Sequence, residues 1–224
     1  MDIFGKNCNH STLLGFVLLL LSLSSLFGVL DATMKYPYVT CGSVLKLINR
    51  NFQVRLHSHD IKYGSGSGQQ SVTGNSESDD SNSYWAVKGL TNEHCKRGEP
   101  IKCGSKIRME HIQSHKNLHS HLFKSPLSGN QEISAFGDNG EGDTGDNWTV
   151  VCSEDVWERS KVVRFKHVDT ESWLSVSGRT YGRPIHGQAE VVAISYPDAS
   201  CYWQAADGIF VKPDDKDEFA HDEL

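Results

Sequence analysis

The 224-residue sequence lacks the common signatures of catalysis. It contains no Gly-x-Ser-x-Gly, no phosphate-binding loop and no His-Glu-x-x-His, and no pair of carboxylates stands out for glycoside chemistry. It also has no Cys-x-x-Cys pair, which argues against thiol–disulfide oxidoreductase chemistry of the usual kind. We therefore predict a chain that is not an enzyme and that needs no cofactor.

Two further absences narrow the class of protein. Outside the N-terminus no long stretch has a helical period, and positive charge is not in excess, since 22 Lys and Arg face 28 Asp and Glu. Six of the acidic residues follow Pro213, beside a single lysine, so the rest of the chain is close to neutral. A near-neutral body argues against a nucleic-acid partner, which requires a basic patch.

What the sequence does contain is a pattern that occurs three times. The distance from the first residue of each copy to a leucine is 14 positions every time, and from that leucine to a tryptophan it is 29, 30 and 29 positions. The copies begin at Gly42, Gly104 and Ser160, with the leucines at 56, 118 and 174 and the tryptophans at 85, 148 and 203. A repeated unit that cannot bury its own apolar face must close on its neighbours.

Short β-branched and apolar segments such as Val44–Leu47 and Val162–Phe165 predict strands, and Gly, Asn, Ser and Asp clusters separate them. Each copy has room for about four strands. We predict an all-β fold, a β-trefoil with pseudo-threefold symmetry, over residues 33–212, with repeats at about 40–95, 101–155 and 157–212. A β-propeller is the alternative, although three blades are few for that architecture.

The N-terminal and C-terminal segments of the sequence predict the cellular compartment of the protein. An apolar run from Leu13 to Leu30 predicts a signal peptide over residues 1–32, with a retained membrane anchor as the alternative. Residues 213–224 form an acidic tail that closes on His221, Asp222, Glu223 and Leu224, a retrieval signal of the endoplasmic reticulum. Together they predict a protein of the endoplasmic reticulum lumen without stable membrane insertion.

Five cysteines follow the predicted signal. Because the first and last strands of a trefoil unit are neighbours, we expect the disulfides Cys41–Cys95 and Cys103–Cys152, with Cys95–Cys103 as the chief competitor. The fifth, Cys201, is expected to be a buried thiol, with an intermolecular bridge as the alternative. Asn147-Trp148-Thr149 is a glycosylation sequon, but Trp148 is a core position, so we expect Asn147 to be mostly unmodified.

Two histidine pairs attract attention. His57 with His59, and His119 with His121, are spaced so that each pair lies on one face of a strand. Paired histidines can bind zinc, but no further ligands follow at zinc-site spacing and the third repeat has serines instead. We therefore expect no metal, and we interpret the pairs as structural or as generic ligand contacts.

The leucine-histidine-serine-histidine segments and the Gly-Gln-Gln-Ser-Val-Thr and Gly-Asn-Gln-Glu-Ile-Ser segments that follow them resemble the MIR repeat. Over residues 36–213 the chain resembles the stromal cell-derived factor 2 family, especially its retrieval-bearing like-1 branch. The resemblance implies three MIR repeats without enzymatic activity, in a quality-control protein of the endoplasmic reticulum. It implies as partners a J-domain co-chaperone of that lumen, through it the luminal Hsp70, and unfolded protein clients.

Two functions thus compete. A chaperone-complex subunit requires an exposed apolar or aromatic patch, for which the candidates are Tyr36, Tyr38, Tyr63, Tyr181 and Phe210. A lectin-like module for glycans, binding mannose or O-mannosylated polypeptides, requires a polar pocket with a stacking aromatic beside one of the histidine pairs. The ligand-binding candidates are His57, His59, Tyr63, His119 and His121.

Overall fold

The computed structural model describes residues 36–213, and these contain twelve β-strands and three short 3-10 turns. The predicted signal peptide and the retrieval signal lie outside the described residues. The strands are β1 (Val44–Asn49), β2 (Arg55–Lys62), β3 (Gln70–Asn75), β4 (Trp85–Lys88), β5 (Lys106–His111), β6 (Asn117–Lys124), β7 (Gln131–Phe136), β8 (Trp148–Val151), β9 (Val162–His167), β10 (Trp173–Thr180), β11 (Ala189–Ile194) and β12 (Trp203–Ile209).

Six of the strands close a barrel. Antiparallel pairing runs from β1 to β12, β9, β8, β5 and β4 and then back to β1. The other six form three hairpins, β2–β3, β6–β7 and β10–β11, and their second strands pair with one another around the pseudo-threefold axis. A closed barrel capped by a hairpin triplet is the β-trefoil that the repeats predict. Among residues 36–213, no helix has the length and apolar character needed to cross a membrane.

The repeated leucines and tryptophans form the centre of the core. Leu56, Leu118 and Leu174 are fully buried, and the three tryptophans lie beside them. In each repeat the tryptophan indole N–H donates to the carbonyl oxygen of that leucine, at 2.8, 2.9 and 3.0 Å. A buried indole N–H requires a partner, so this hydrogen bond explains why the spacing from leucine to tryptophan is so constant.

A second set of equivalent residues joins successive repeats. His111 donates its Nε2–H to the carbonyl oxygen of Asn82 at 2.9 Å, and His167 donates to Gly145 at 2.8 Å. At the third junction Asn49 donates its amide to Ser200 at 2.7 Å. Each repeat therefore donates a hydrogen bond to the 3-10 turn of the preceding one, which gives His111 and His167 a structural role.

The structure contains the two disulfides expected from the repeat register. Cys41 is bonded to Cys95 and Cys103 to Cys152, with Cα–Cα distances of 5.9 and 5.4 Å. Cys201 is a buried free thiol, and burial raises its pKa. A buried neutral thiol behaves as a small apolar side chain, which matches its position beside the core tryptophan of repeat three.

Candidate functional site

The candidate site is built by an irregularity that occurs once in each repeat. The first strand of each hairpin pairs regularly up to Ser58, Ser120 or Val176, and pairing resumes four residues later with a shifted register. Such a bulge turns its side chains out of the regular pleat. We number the three places by repeat and define each by the two residues beside its bulge. They are cleft 1 (His57 and His59), cleft 2 (His119 and His121) and cleft 3 (Ser175 and Ser177).

Cleft 1 holds a chain of three hydrogen-bonded groups. Nδ1 of His57 lies 2.7 Å from a carboxylate oxygen of Asp80, and its Nε2 lies 2.6 Å from Nδ1 of His59. The carboxylate accepts, so His57 donates through Nδ1, and its Nε2 is free to accept from His59. Burial raises the pKa of Asp80, but hydrogen bonds from Ser83 and His57 outweigh it and lower the pKa overall. Burial, together with the nearby His57, lowers the pKa of His59.

In cleft 2 both histidines have a carboxylate partner. Nδ1 of His119 lies 2.9 Å from the buried carboxylate of Asp146, and Nε2 of His121 lies 2.9 Å from the buried carboxylate of Glu132. Glu132 also accepts from the backbone N–H of Ser67, in the hairpin loop of repeat one. The second histidine pair therefore belongs to a contact between two repeats, which favours the structural interpretation.

A small group in cleft 2 has the donor atoms of a metal site. One atom each of His119, Asp143 and Asp146 lies within 4.8 Å of the others. Both carboxylates already have backbone partners, because Asp143 accepts from the N–H of Gly145 at 2.9 Å and Asp146 accepts from the N–H of Asp143 at 3.0 Å. These bonds cap the 3-10 turn Thr144–Asp146, and an ion would compete with them.

Tyr63 does not serve as a stacking surface. Its side chain is 6% exposed, and its hydroxyl lies 2.9 Å from the carbonyl oxygens of Val72 and Ile133, on two different hairpins. Burial raises the pKa of Tyr63 well above its usual range. His57 is also closed off, at 3% exposure. The buried ring of Tyr63 leaves no face for a ligand to stack on, and its place in the hairpin cap favours a structural role.

The exposed apolar residues are not the aromatics named from the sequence. Tyr63 is buried, and Tyr36, Tyr38, Tyr181 and Phe210 are all partly buried. Instead, Leu122 is 84% exposed and Phe123 is 53% exposed, both in the bulge of cleft 2. They line a groove of about 300 Å³ with Ala193 and Ile194 of repeat three. The sequence alone did not indicate this pair, because in a regular strand two adjacent side chains point to opposite faces and only the bulge lets both be exposed. The feature visible in the sequence was two adjacent apolar residues directly after a histidine pair.

Cleft 3 was also missed. It carries a cavity of about 340 Å³ where clefts 1 and 2 carry histidines. Ser175 and Ser177 stand at the histidine positions, and Ser175 Oγ lies 2.5 Å from Ser200 Oγ. The signal in the sequence was the loss of side-chain volume at two repeat-equivalent positions, where serines replace histidines.

Comparison with known proteins agrees with this architecture. The MIR domain model matches residues 47–195. Mouse stromal cell-derived factor 2 is 56% identical over 210 residues, which is 93% of this chain and 99% of the relative. The chain belongs to the stromal cell-derived factor 2 family. Bovine stromal cell-derived factor 2-like protein 1 is also 56% identical, over 208 residues and 93% of both chains.

The family resemblance extends to a solved structure. The crystal structure of the SDF2-like protein from Arabidopsis thaliana is 45% identical, has a TM-score of 0.76, and covers 78% of this chain and 98% of that one. Membership of the stromal cell-derived factor 2 family and the two disulfides fit a protein of the secretory pathway, where oxidising conditions maintain such bonds.

Proposed function

We propose that this stromal cell-derived factor 2 family member is a non-catalytic subunit of a chaperone complex in the lumen of the endoplasmic reticulum. In this proposal it binds a J-domain co-chaperone, and through it the luminal Hsp70, while it also contacts unfolded protein clients. The partners follow from the family resemblance. The contact with clients is supported by exposed apolar residues on the surface of the chain.

One observation carries the client contact. The pair Leu122 and Phe123, here named the apolar ridge, is solvent-exposed beside a groove that Ala193 and Ile194 also line, together with polar residues. Single exposed apolar residues are common, but adjacent ones at the edge of a groove mark an interaction surface. At the same positions repeat one has Asp60 and Ile61, and repeat three has Gly178 and Arg179. The architecture of the bulge therefore does not require an apolar pair.

The position of the ridge also fits an extended polypeptide. Residues 121–123 lie where pairing between β6 and β7 is interrupted, between Ser120 and Lys124. An unfolded chain presents apolar side chains without fixed shape, and a shallow groove of this kind accepts many of them. The proposed lumenal location is supported by the two disulfides, which oxidising conditions maintain.

The experiment is immunoprecipitation of the full chain from gently lysed cells, with partners identified by mass spectrometry, in the presence and absence of free mannose. We expect near-stoichiometric recovery of a J-domain co-chaperone that mannose does not affect. The variant L122S/F123S should recover fewer client proteins, whereas the control I209S, which alters an apolar residue that is 75% exposed elsewhere, should not. Recovery of O-mannosylated proteins alone, released by mannose, would overturn the proposal in favour of a lectin.

A further inference from the structure

The outer face of the barrel carries a group of positive charges where repeats two and three meet. Residues directly opposite each other in antiparallel strands share a face, and one such row crosses four strands. It consists of Lys106 on β5, Thr149 on β8, Lys166 on β9 and Trp173 on β10. Arg164 lies two residues before Lys166 and therefore on the same face of β9. We name Lys106, Arg164 and Lys166 the basic face.

The side chain of Arg164 is held by aromatic rings and not by an acid. Its guanidinium carbon lies 4.8 Å from the centroid of the Trp173 ring and 5.5 Å from the centroid of the Tyr202 ring. Within residues 36–213, no carboxylate or carbonyl oxygen accepts a hydrogen bond from this guanidinium. Stacking on aromatic rings orients the planar group, while its N–H donors stay available for a planar acceptor such as a carboxylate.

The equivalent cations of the other two repeats already have acceptors. Lys46, the counterpart in repeat one, donates to the carbonyl oxygen of Ser78 at 2.6 Å. Arg108, the counterpart in repeat two, donates to the carbonyl oxygens of Gly89 and Gly140 at 2.9 and 3.0 Å. The position of this side chain in the repeat therefore favours a backbone acceptor, and repeat three is the exception.

A shorter loop explains the exception. In repeats one and two an acceptor comes from the segment between the second hairpin strand and the 3-10 turn, which has five residues (76–80) and seven residues (137–143). In repeat three the same segment has four residues (195–198), and none of them accepts from Arg164. The guanidinium is consequently left with donors that the fold itself does not use.

The neighbouring lysine strengthens the positive charge. Repeat two has the buried acid Glu110, paired with Lys88, at the position where repeat three has Lys166. The ammonium of Lys166 lies 3.3 Å from the carboxylate of Glu171, which is exposed, and a surface pair of this kind contributes little free energy. The other outward-facing positions of β8 and β9 are neutral, namely Thr149, Val151 and Val162.

We propose that the basic face binds an extended acidic segment of a partner polypeptide. One carboxylate of the segment accepts a two-pronged hydrogen bond from Arg164, and others pair with the two lysines. Lys106 and Lys166 are two strands apart, about 10 Å, which is the length of about three residues of an extended chain. Three cations on a nearly neutral body are few for a nucleic acid. The inference does not depend on the chaperone role or on the apolar ridge.

The test is fluorescence anisotropy of the full chain with a labelled twelve-residue peptide that has glutamate at every third position and serine elsewhere. We expect this peptide to bind more weakly as salt is added, and its glutamine counterpart not to bind. R164Q should reduce the affinity about tenfold, the equivalent of one lost charge-assisted hydrogen bond. R164K keeps the charge but loses the planar fork, so it should reduce the affinity about threefold. K106Q/K166Q should also bind more weakly.

The matched control is K62Q, which removes an exposed positive charge from the hairpin of repeat one and should bind the peptide as the unmodified chain does. The proposal is overturned if the glutamate peptide does not bind, if the glutamine peptide binds equally well, or if R164Q, shown to be folded by near-ultraviolet circular dichroism, keeps full affinity. An equal loss in K62Q would reduce the effect to net charge. Equally tight binding of a twelve-nucleotide single-stranded DNA would make the face a general polyanion site, and either result would also overturn the proposal.

Discussion

His111 donates its Nε2–H to the carbonyl oxygen of Asn82 at 2.9 Å, across the junction between repeats one and two. Its Nδ1 accepts from the backbone N–H of Ser114 at 3.3 Å, so the ring is held in its neutral form. Burial accordingly lowers the pKa of His111 to about 4. Burial also lowers the pKa of His167, the equivalent residue at the next junction.

This arrangement predicts a loss of stability in mild acid. Between pH 6.5 and about 4 the unfolded state binds a proton that folded His111 does not, so the free energy of unfolding falls as the pH falls through that window. The loss from His111 is about 3 kcal/mol, at about 1.4 kcal/mol per pKa unit. Denaturant unfolding at a series of pH values measures it.

The variant H111N isolates this contribution. Asn49 already occupies the equivalent position in repeat one, where its amide donates to Ser200 at 2.7 Å and its oxygen accepts from the N–H of Phe52 at 3.0 Å. An asparagine at 111 should therefore keep both kinds of hydrogen bond and flatten the pH dependence. The control is H186N at an exposed site, and an equal slope for H111N and the unmodified chain would refute the assignment.

The disulfide of repeat two should contribute strongly to stability. Cys103 and Cys152 are 49 residues apart, so their bond removes much freedom from the unfolded chain. We expect C103S/C152S to lower the free energy of unfolding by about 2–5 kcal/mol. Denaturant unfolding of the oxidised proteins measures the difference, and a loss below the error of the measurement would contradict the prediction.

Repeat three offers a natural comparison for the disulfides. Arg159 stands at the position of Cys103, and its guanidinium carbon lies 3.7 Å from the centroid of the Phe210 ring. A cation–π contact of this kind contributes about 0.5–2 kcal/mol. We expect R159A to be less destabilising than C103S/C152S in the same unfolding experiment.

Gly66 lies where the loop of repeat one approaches repeat two. Its φ of 69° is a left-handed conformation, and a Cβ there would collide with the buried carboxylate of Glu132. We expect G66A to destabilise the fold by about 1–3 kcal/mol. Gly64, in the same loop, has no atom within 4 Å of its added Cβ, so G64A should change stability by less than about 0.5 kcal/mol. Equal thermal midpoints for the two variants would contradict this account.

The sequon at Asn147 should remain without a glycan. The side chain is 7% exposed, and its oxygen accepts from the backbone N–H of Thr91 at 3.2 Å. We expect the secretory-pathway protein to have the same mass before and after glycosidase treatment, and N147Q to migrate as the unmodified chain does. A mass decrease of one N-glycan on treatment would show that Asn147 is modified before this region folds.

The barrel was predictable because the residues that specify it lie within a single repeat and occur three times. Each leucine and tryptophan is conspicuous in the sequence, and the constant interval between them reflects the hydrogen bond that joins them in every repeat. The disulfide pairings followed from the same register, because the first and last strands of a unit are adjacent in a trefoil. Cys201 was likewise expected to be buried, and it is.

The candidate site was less predictable because it depends on contacts between repeats. Nothing near His121 in the sequence indicates that its partner is Glu132, whose carboxylate also holds the loop of repeat one. Nor does the sequence show that Tyr63 bridges two hairpins. The histidine pairs are the conspicuous residues in the sequence, whereas the cavity of about 340 Å³ lies beside the serines of cleft 3, because smaller side chains leave space.

The central claim is that the apolar ridge binds unfolded polypeptide, and its most direct test is suppression of aggregation. A chemically denatured reporter protein is diluted into buffer with the purified full chain, L122S/F123S or I209S, and light scattering is followed. The account predicts that the unmodified chain and I209S slow aggregation to the same extent, while L122S/F123S at equal folded concentration loses most of that effect. Equal suppression by all three proteins, or none by the unmodified chain, would contradict it.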